Sequence, residues 1–288
     1  MNQPSTFPGD LAKNKQIADA LLSPAGLLII NADDWGRTPL TTDRILDSVR
    51  SGSVSAVSAM VFMEDSERAA QLAHESGIDT GLHLNLTTPF TASQCAPPQL
   101  AERQQQLAAF LCGHSLARVL FNPFLSVSFE YVVKAQIDEF RRLYGAEPAR
   151  IDGHHHIHLC SNVLFKRLLP SGTHVRRNFS FQTEEKNVVN RLYRGWQDRM
   201  LARRHHLDDY FFSLPPLEPA TRLERIFSLA TLHTVEVETH PVNVAEYNFL
   251  QSPQLHRLME KLHLPFPLPA ASTRYATPAE SRFKASGG

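Results

Sequence analysis

Cysteine is scarce in this chain. Cys95, Cys112 and Cys160 are three in 288 residues, odd in number and unevenly spaced. That excludes a disulfide scaffold and suits free thiols in a reducing compartment. Cys160 stands beside a run of histidines and is a candidate ligand, although a small buried apolar residue is the commoner role. Long apolar runs are lacking too, so no transmembrane segment is expected. The opening stretch "MNQPSTFPGDLAKNKQ" lacks the basic-then-apolar order of a signal peptide. Together these point to a cytoplasmic protein. Nor is there an excess of either charge: Lys plus Arg and Asp plus Glu number 29 each, so the global field does not favour nucleic acid. What the chain has in quantity is histidine, 14 in all, four of them packed into "IDGHHHIHL" at 151–159.

The order of elements suggests how those histidines are used. "GLLIINADDWG" is an apolar run that breaks into Asp33 and Asp34, as a buried strand delivering acids at its C-terminal end would. Turn and cap chemistry ahead of the next helix is the alternative use of that acid pair. "TTDRILDSVRSG" reads as a helix capped by Thr41 or Thr42 and "SVSAVSAMVF" as a strand. "EDSERAAQLAHESG" then reads as a helix and "TGLHLNLT" as a strand. This alternation predicts a parallel sheet built from βαβ units. Residues 88–126 read as an insertion or lid, and "SFEYVVKAQIDEFRRLYG" as an amphipathic helix leading into the histidine segment. Further on, helices are expected at 162–169, 186–206, 221–231 and 254–262, with strands near "THVRRNFSF", "YFFSL" and "TVEVETHP". The domain plan is a leader over 1–25, one domain over 26–265 with insertions near 88–126 and 184–210, and a loose tail over 266–288. The helix at 186–206 is rich in arginine, which suits a solvated face, a lid over an anionic substrate, or a membrane surface.

Side chains alternate along a strand, so parity sorts the polar residues. Read as a strand, "IDGHHHIHL" puts Asp152, His154, His156 and His158 on one face. "TGLHLNLT" opposes His83 and Asn85 to its leucines, and "TVEVETHP" opposes Glu236, Glu238 and His240 to Val235 and Val237. In a barrel these polar rows converge at the C-terminal mouth, where barrel enzymes keep their chemistry. Carboxylates and neutral imidazoles gathered there suit Zn2+, Co2+, Mn2+ or Fe2+. Taken singly, His83 reads as a hydrogen-bonded structural histidine, and the two glutamates as salt-bridge partners.

"NADDWG", "GLHLNLT", "IDGHHHIHL" and "VEVETHP", in this order, resemble the signatures of the YdjC-like (ChbG/HpnK) carbohydrate deacetylases. The resemblance runs from about Leu27 to about Tyr247. It implies an α/β fold, a variant (β/α) barrel of the polysaccharide-deacetylase type with its metal site at the strand C-termini. It also implies metal-dependent removal of an N-acetyl group from an amino sugar such as a chitooligosaccharide. By the resemblance, Asp34, His83 and His154 would hold one divalent ion, Mg2+ or Zn2+ foremost and Co2+ or Mn2+ as alternatives. Asp33 would be the general base and His240 the general acid, with Glu236 orienting His240. His156 and His158 would line the pocket or back the ligands, and Arg176 or Arg177 would steady Asp33. Asn85 is expected at the site, and Trp35 and Phe90 would stack on sugar or pack in the core. The partner is then a small acetylated sugar, and a homodimer is compatible. Trp35 replaces the family's phenylalanine and Val242 its glycine after His-Pro. Three rivals remain at this point. An amidohydrolase-type barrel would use His-x-His on a strand, an iron oxygenase two histidines and a carboxylate, and a binding protein the same ligands without catalysis.

Overall fold

The computed structural model describes residues 26–92, 97–113, 116–180 and 188–271. Its centre is β1 (Leu27–Trp35), whose apolar run is buried almost throughout. On one side lie β2 (Ala56–Ala59), β3 (Thr80–Leu84), β4 (Arg150–Gly153) and the two-residue β5 (His174–Val175). On the other lie β7 (Thr234–Thr239) and then β6 (Tyr210–Ser213). The seven strands run β5-β4-β3-β2-β1-β7-β6, and every neighbouring pair is parallel. The two edges approach each other through irregular backbone. Val175 N donates to His206 O at 2.9 Å, and Ser180 N donates to Phe211 O at 2.8 Å. The expected variant (β/α) barrel is therefore found as a seven-stranded curled sheet.

Helices cover the outside: α1 (Pro39–Arg50), α2 (Ser66–Ser76), α3 (Pro98–Gly113), α4 (Ser126–Tyr144), α5 (Ser161–Phe165), α6 (Val188–Ala202), α7 (Ala220–Leu229), α8 (Val244–Leu250) and α9 (Pro253–Lys261). Local chemistry sets their ends. Thr38, not Thr41 or Thr42, caps α1, accepting from Thr41 N, with Pro39 in the first turn, where its missing N–H costs nothing. Gly145 ends α4 at φ 69°, a conformation glycine adopts without strain.

Parity holds within the strands. Leu28, Ile30, Val57, Leu82, Leu84, Ile151, Val235 and Val237 point out into the main apolar core beneath the helices. Asn31, Asp33, Ser58, His83, Asp152, Glu236 and Glu238 are buried polar residues that bond one another or Arg176 across the barrel interior.

Several expected elements change. The histidine strand stops at Gly153, and His154–Leu159 is a short 3-10 turn in which His155 and His156 both have φ 55°. The strand near "THVRRNFSF" shrinks to His174–Val175, and the helix at 162–169 to Ser161–Phe165. The basic helix is Val188–Ala202, the residues just before it lying outside those described. Helix α8 was not anticipated. The leader at 1–25 also lies outside the described residues. Of the loose tail, 266–271 packs onto the barrel floor, where Leu268 N bonds Gly52 O and Ala271 is buried with Ile29 and Ala56.

Phe129 of α4 is fully buried in that core. Phe129→Ala should lower the unfolding free energy by about 3–5 kcal/mol in a urea titration; an unchanged midpoint would mean that α4 adds little to the core.

Candidate metal centre and active site

The two aspartates at the end of β1 would face opposite ways on a regular strand. They do not. Asp34 has φ 69°, and the β1–β2 register shifts between Ala32 and Trp35. A left-handed aspartate is uncommon, and conformations of this kind cluster at functional sites. The reversal lets Asp33 and Asp34 line the same cleft, together with His154, His155, His156, Glu238 and His240. That cleft has a volume of about 830 Å³.

Asp34, His83 and His154 come together below the mouth. One donor atom of each lies within 4.8 Å of the other two, and all three residues are buried. His83 donates from Nδ1 to Asp152 Oδ1 at 2.7 Å, which leaves Nε2 facing Asp34 Oδ1 at 3.5 Å. His154 Nδ1 lies 2.9 Å from the same Oδ1. His83 Nε2 and His154 Nε2 are buried without hydrogen-bond partners. Burial opposes a charge on His83, yet Asp33, Asp152 and Asp34 outweigh it and push its pKa up to about 9. A field that holds a proton on imidazole that tightly is one a cation also satisfies. The set of one carboxylate and two imidazoles fits a divalent ion. Asp152 holds the His83 ring from behind, as a carboxylate would orient a histidine ligand.

Arg176 fixes the floor. Its guanidinium is buried and grips Asp33 with two bonds of 2.7 Å. It also lies 2.8 Å from both Asp152 and Glu236, and 3.4 Å from Glu238. Burial opposes its charge, and Asp152, Asp33 and Glu236 overrule it, holding the group protonated well above its ordinary range. The carboxylates respond unequally. Burial would raise Asp33, but Arg176 and His83 hold it far below the usual range. For Glu236 burial wins over Arg176, and the pKa rises to about 7. Glu238 is raised as well, by burial and then by Asp33.

The remaining candidates divide. His240 is partly exposed at the rim, with Nε2 4.0 Å from Asp33 Oδ2. Its backbone N donates to Glu246 Oε2 at 2.9 Å, and Thr239 Oγ1 donates to the same oxygen. Glu236 bonds Arg176 Nε, so the carboxylate beside His240 is Asp33. His156 faces Glu238 at 3.7 Å and meets the Phe179 ring edge-on. His158 is fully buried behind the cleft and donates from Nε2 to Arg176 O at 2.9 Å. Asn85 belongs to a turn: its Oδ1 accepts from Thr87 and Thr88 N, and its Nδ2 donates to Thr88 O. Trp35 is fully buried in the core and Phe90 packs on Phe62, so neither ring is presented to the cleft as a stacking surface. Arg177 instead binds Asp198 and the carbonyls of Asp208 and Asp209. Cys160 is buried, its thiol pushed up to about 12 by burial, as suits an inert core residue. With the histidines on a turn, the strand-borne His-x-His of an amidohydrolase is not present here.

Sequence reasoning did not include Asp152, Asn31, Ser58 or Glu246 in the site. Parity had put Asp152 on the polar face, and Asn31 shares a face with Asp33; both signals were available. Glu246 gave none, because it sits on the unanticipated α8.

A family model described as YdjC-like protein matches residues 27–261. The chain is 32% identical over 146 residues to a carbohydrate deacetylase of Mus musculus, covering 49% of this chain and 45% of that protein. It is 32% identical over 138 residues to a chitooligosaccharide deacetylase of Yersinia pestis (strain Pestoides F), covering 48% of this chain and 52% of that protein. The chain thus spans about half the length of the curated relatives it matches. Among solved structures, an Enterococcus faecalis V583 protein provisionally assigned to cellobiose-phosphate cleavage superposes with a TM-score of 0.63 at 18% identity. The match covers 88% of this chain and all of that one, and it bears on the fold alone.

Two outcomes follow from the floor. Arg176→Met leaves several buried carboxylates without their cation and should cost about 3–5 kcal/mol by urea unfolding, whereas Arg176→Lys should cost less. Equal loss in both would mean that the bidentate geometry matters more than the charge. The pKa of His158 is lowered from 6.5 to about 4, chiefly by burial. A lowered value contributes stability that is whole above pH 6.5 and is lost as pH falls through about 4. His158→Gln should therefore flatten the acid side of the stability profile by up to about 1.4 kcal/mol per pH unit; an unaltered slope would show that His158 does not titrate there.

Proposed function

Because the chain belongs to the YdjC-like protein family, we propose that it removes an N-acetyl group from an amino sugar by hydrolysis, releasing acetate. The observation that carries this reading is a candidate metal cluster, Asp34–His83–His154, beside a carboxylate and an imidazole that face one cleft. The names of the curated relatives support a sugar substrate, chitooligosaccharide-like in the finer reading. The cleft falls within the size range of sites that enclose a small ligand.

The three ligands would hold one divalent ion, Zn2+ or Mg2+ foremost, which would supply Lewis acidity to the attacking water and to the acetyl carbonyl. The chain's own residues do the rest. Asp33, kept ionised and aimed by Arg176, takes a proton from the water as its oxygen adds to the carbonyl carbon. His240 then gives a proton to the nitrogen as the C–N bond breaks, because an amine anion is too poor a leaving group. The 4.0 Å between Asp33 Oδ2 and His240 Nε2 brings the proton acceptor and the proton donor to the same edge of the cleft.

The roles separate under mutation. Asp34→Ala or His83→Ala should abolish bound metal and acetate release together. Asp33→Asn should keep the metal and lose roughly 10²–10⁴-fold in turnover on N-acetylglucosamine oligomers. Full activity of Asp33→Asn would remove the base. Metal without turnover on any acetylated sugar would leave a binding protein.

A further inference from the structure

An apolar ridge takes no part in the reaction above, and its segment reaches the cleft through Arg118. Segment 116–127, α5 and α6 meet there. The rings of Phe121 and Phe165 lie 6.1 Å apart, and those of Phe165 and Trp196 6.0 Å apart. Phe124 projects furthest at 93% exposure, with Leu192 at 63%. Large exposed apolar side chains gathered this way are unusual on a water-facing surface and mark a contact site.

Charge says what the contact is. The chain as a whole balances 29 basic against 29 acidic residues, yet this face is basic. Arg118, Lys166, Arg167, Arg191, Arg199 and Arg203, close in sequence or on the same helix as the ridge residues, are exposed, and Arg167 and Arg203 line one pocket with Phe165. None of the six forms an ion pair among the described residues. Asp198, the acid of α6, is held by Arg177 and Asn178.

We propose that this face docks on a bilayer surface bearing anionic phospholipid. Phe124, Leu192 and Trp196 enter the headgroup layer while the guanidiniums pair with lipid phosphates, the arrangement by which amphipathic basic helices lie on membranes. A second copy is disfavoured, because a two-fold contact apposes the same patch and sets one cationic rim against another. A nucleic acid would meet the arginines but leave Phe124 and Leu192 in water. Arg118 lies at the rim and also lines the cleft, so docking brings the cleft mouth to the lipid surface. The surface stands whether or not the cleft hydrolyses acetyl groups.

The test is co-sedimentation of the full chain with phosphatidylcholine vesicles, with and without about one third phosphatidylglycerol. The chain should pellet with the anionic vesicles only. Phe124→Ser/Leu192→Ser should weaken that binding by roughly tenfold or more, and Arg191→Glu/Arg199→Glu by a similar factor. Unfolding temperatures of both variants are measured alongside, and the vesicle comparison on the native chain stands even if a variant fails to fold. No pelleting with anionic vesicles would overturn the proposal. So would binding indifferent to Phe124→Ser/Leu192→Ser, which is the behaviour of a polyanion site, or a dimer in solution that these substitutions dissolve.

Discussion

The structure turns on one guanidinium in a carboxylate-rich interior. Arg176 touches Asp33, Asp152, Glu236 and Glu238, each supplied by an inward position on β1, β4 or β7. Four like charges at that spacing would not share a dry barrel; like charges in low dielectric cost far more than at a surface. The single cation resolves the conflict unevenly. Asp33 and Asp152, close to the guanidinium and to His83, are drawn down, while Glu236 and Glu238 are pushed up. Negative charge is therefore favoured toward His83 and its neighbours and disfavoured on the β7 side. Asn31 and Ser58 complete the pattern by donating to Asp33 and Asp152.

Backbone reversals do what strand geometry alone cannot. Regular alternation would give the cleft Asp33 or Asp34, and would line His154, His156 and His158 along one wall. The left-handed Asp34 brings both acids to the same side. The left-handed pair His155–His156 sends His154 to Asp34, His156 to Glu238 and His158 down to the Arg176 carbonyl. Conformations of this kind cost of order 1–3 kcal/mol each and persist where surrounding contacts hold them.

These reversals also mark the limit of what the sequence discloses. The parallel sheet, the outward apolar rows and the convergence of Asp33, His83 and Glu238 follow from period-two patterning, which the strands obey. The histidine run breaks that rule, and nothing in "GHHHIH" announces a turn in place of a strand. Asn85 and Trp35 look like site residues because they adjoin His83 and Asp34, yet adjacency on a strand end is not exposure. One bonds its own turn and the other fills the core. Arg176 and Arg177 are indistinguishable in sequence. Only the short β5 decides that the first points into the barrel and the second toward α6.

Glu246 of α8, a helix outside the sheet, accepts from Thr239 Oγ1 and from the His240 backbone N and so anchors the chain that carries the rim imidazole, whereas the Asp34–His83–His154 cluster rests on strand ends and the histidine turn. The apparatus is therefore modular. Under the roles proposed above, drift in the loop after β7 would retune or discard the His240 proton donor while the Asp34–His83–His154 cluster survives intact.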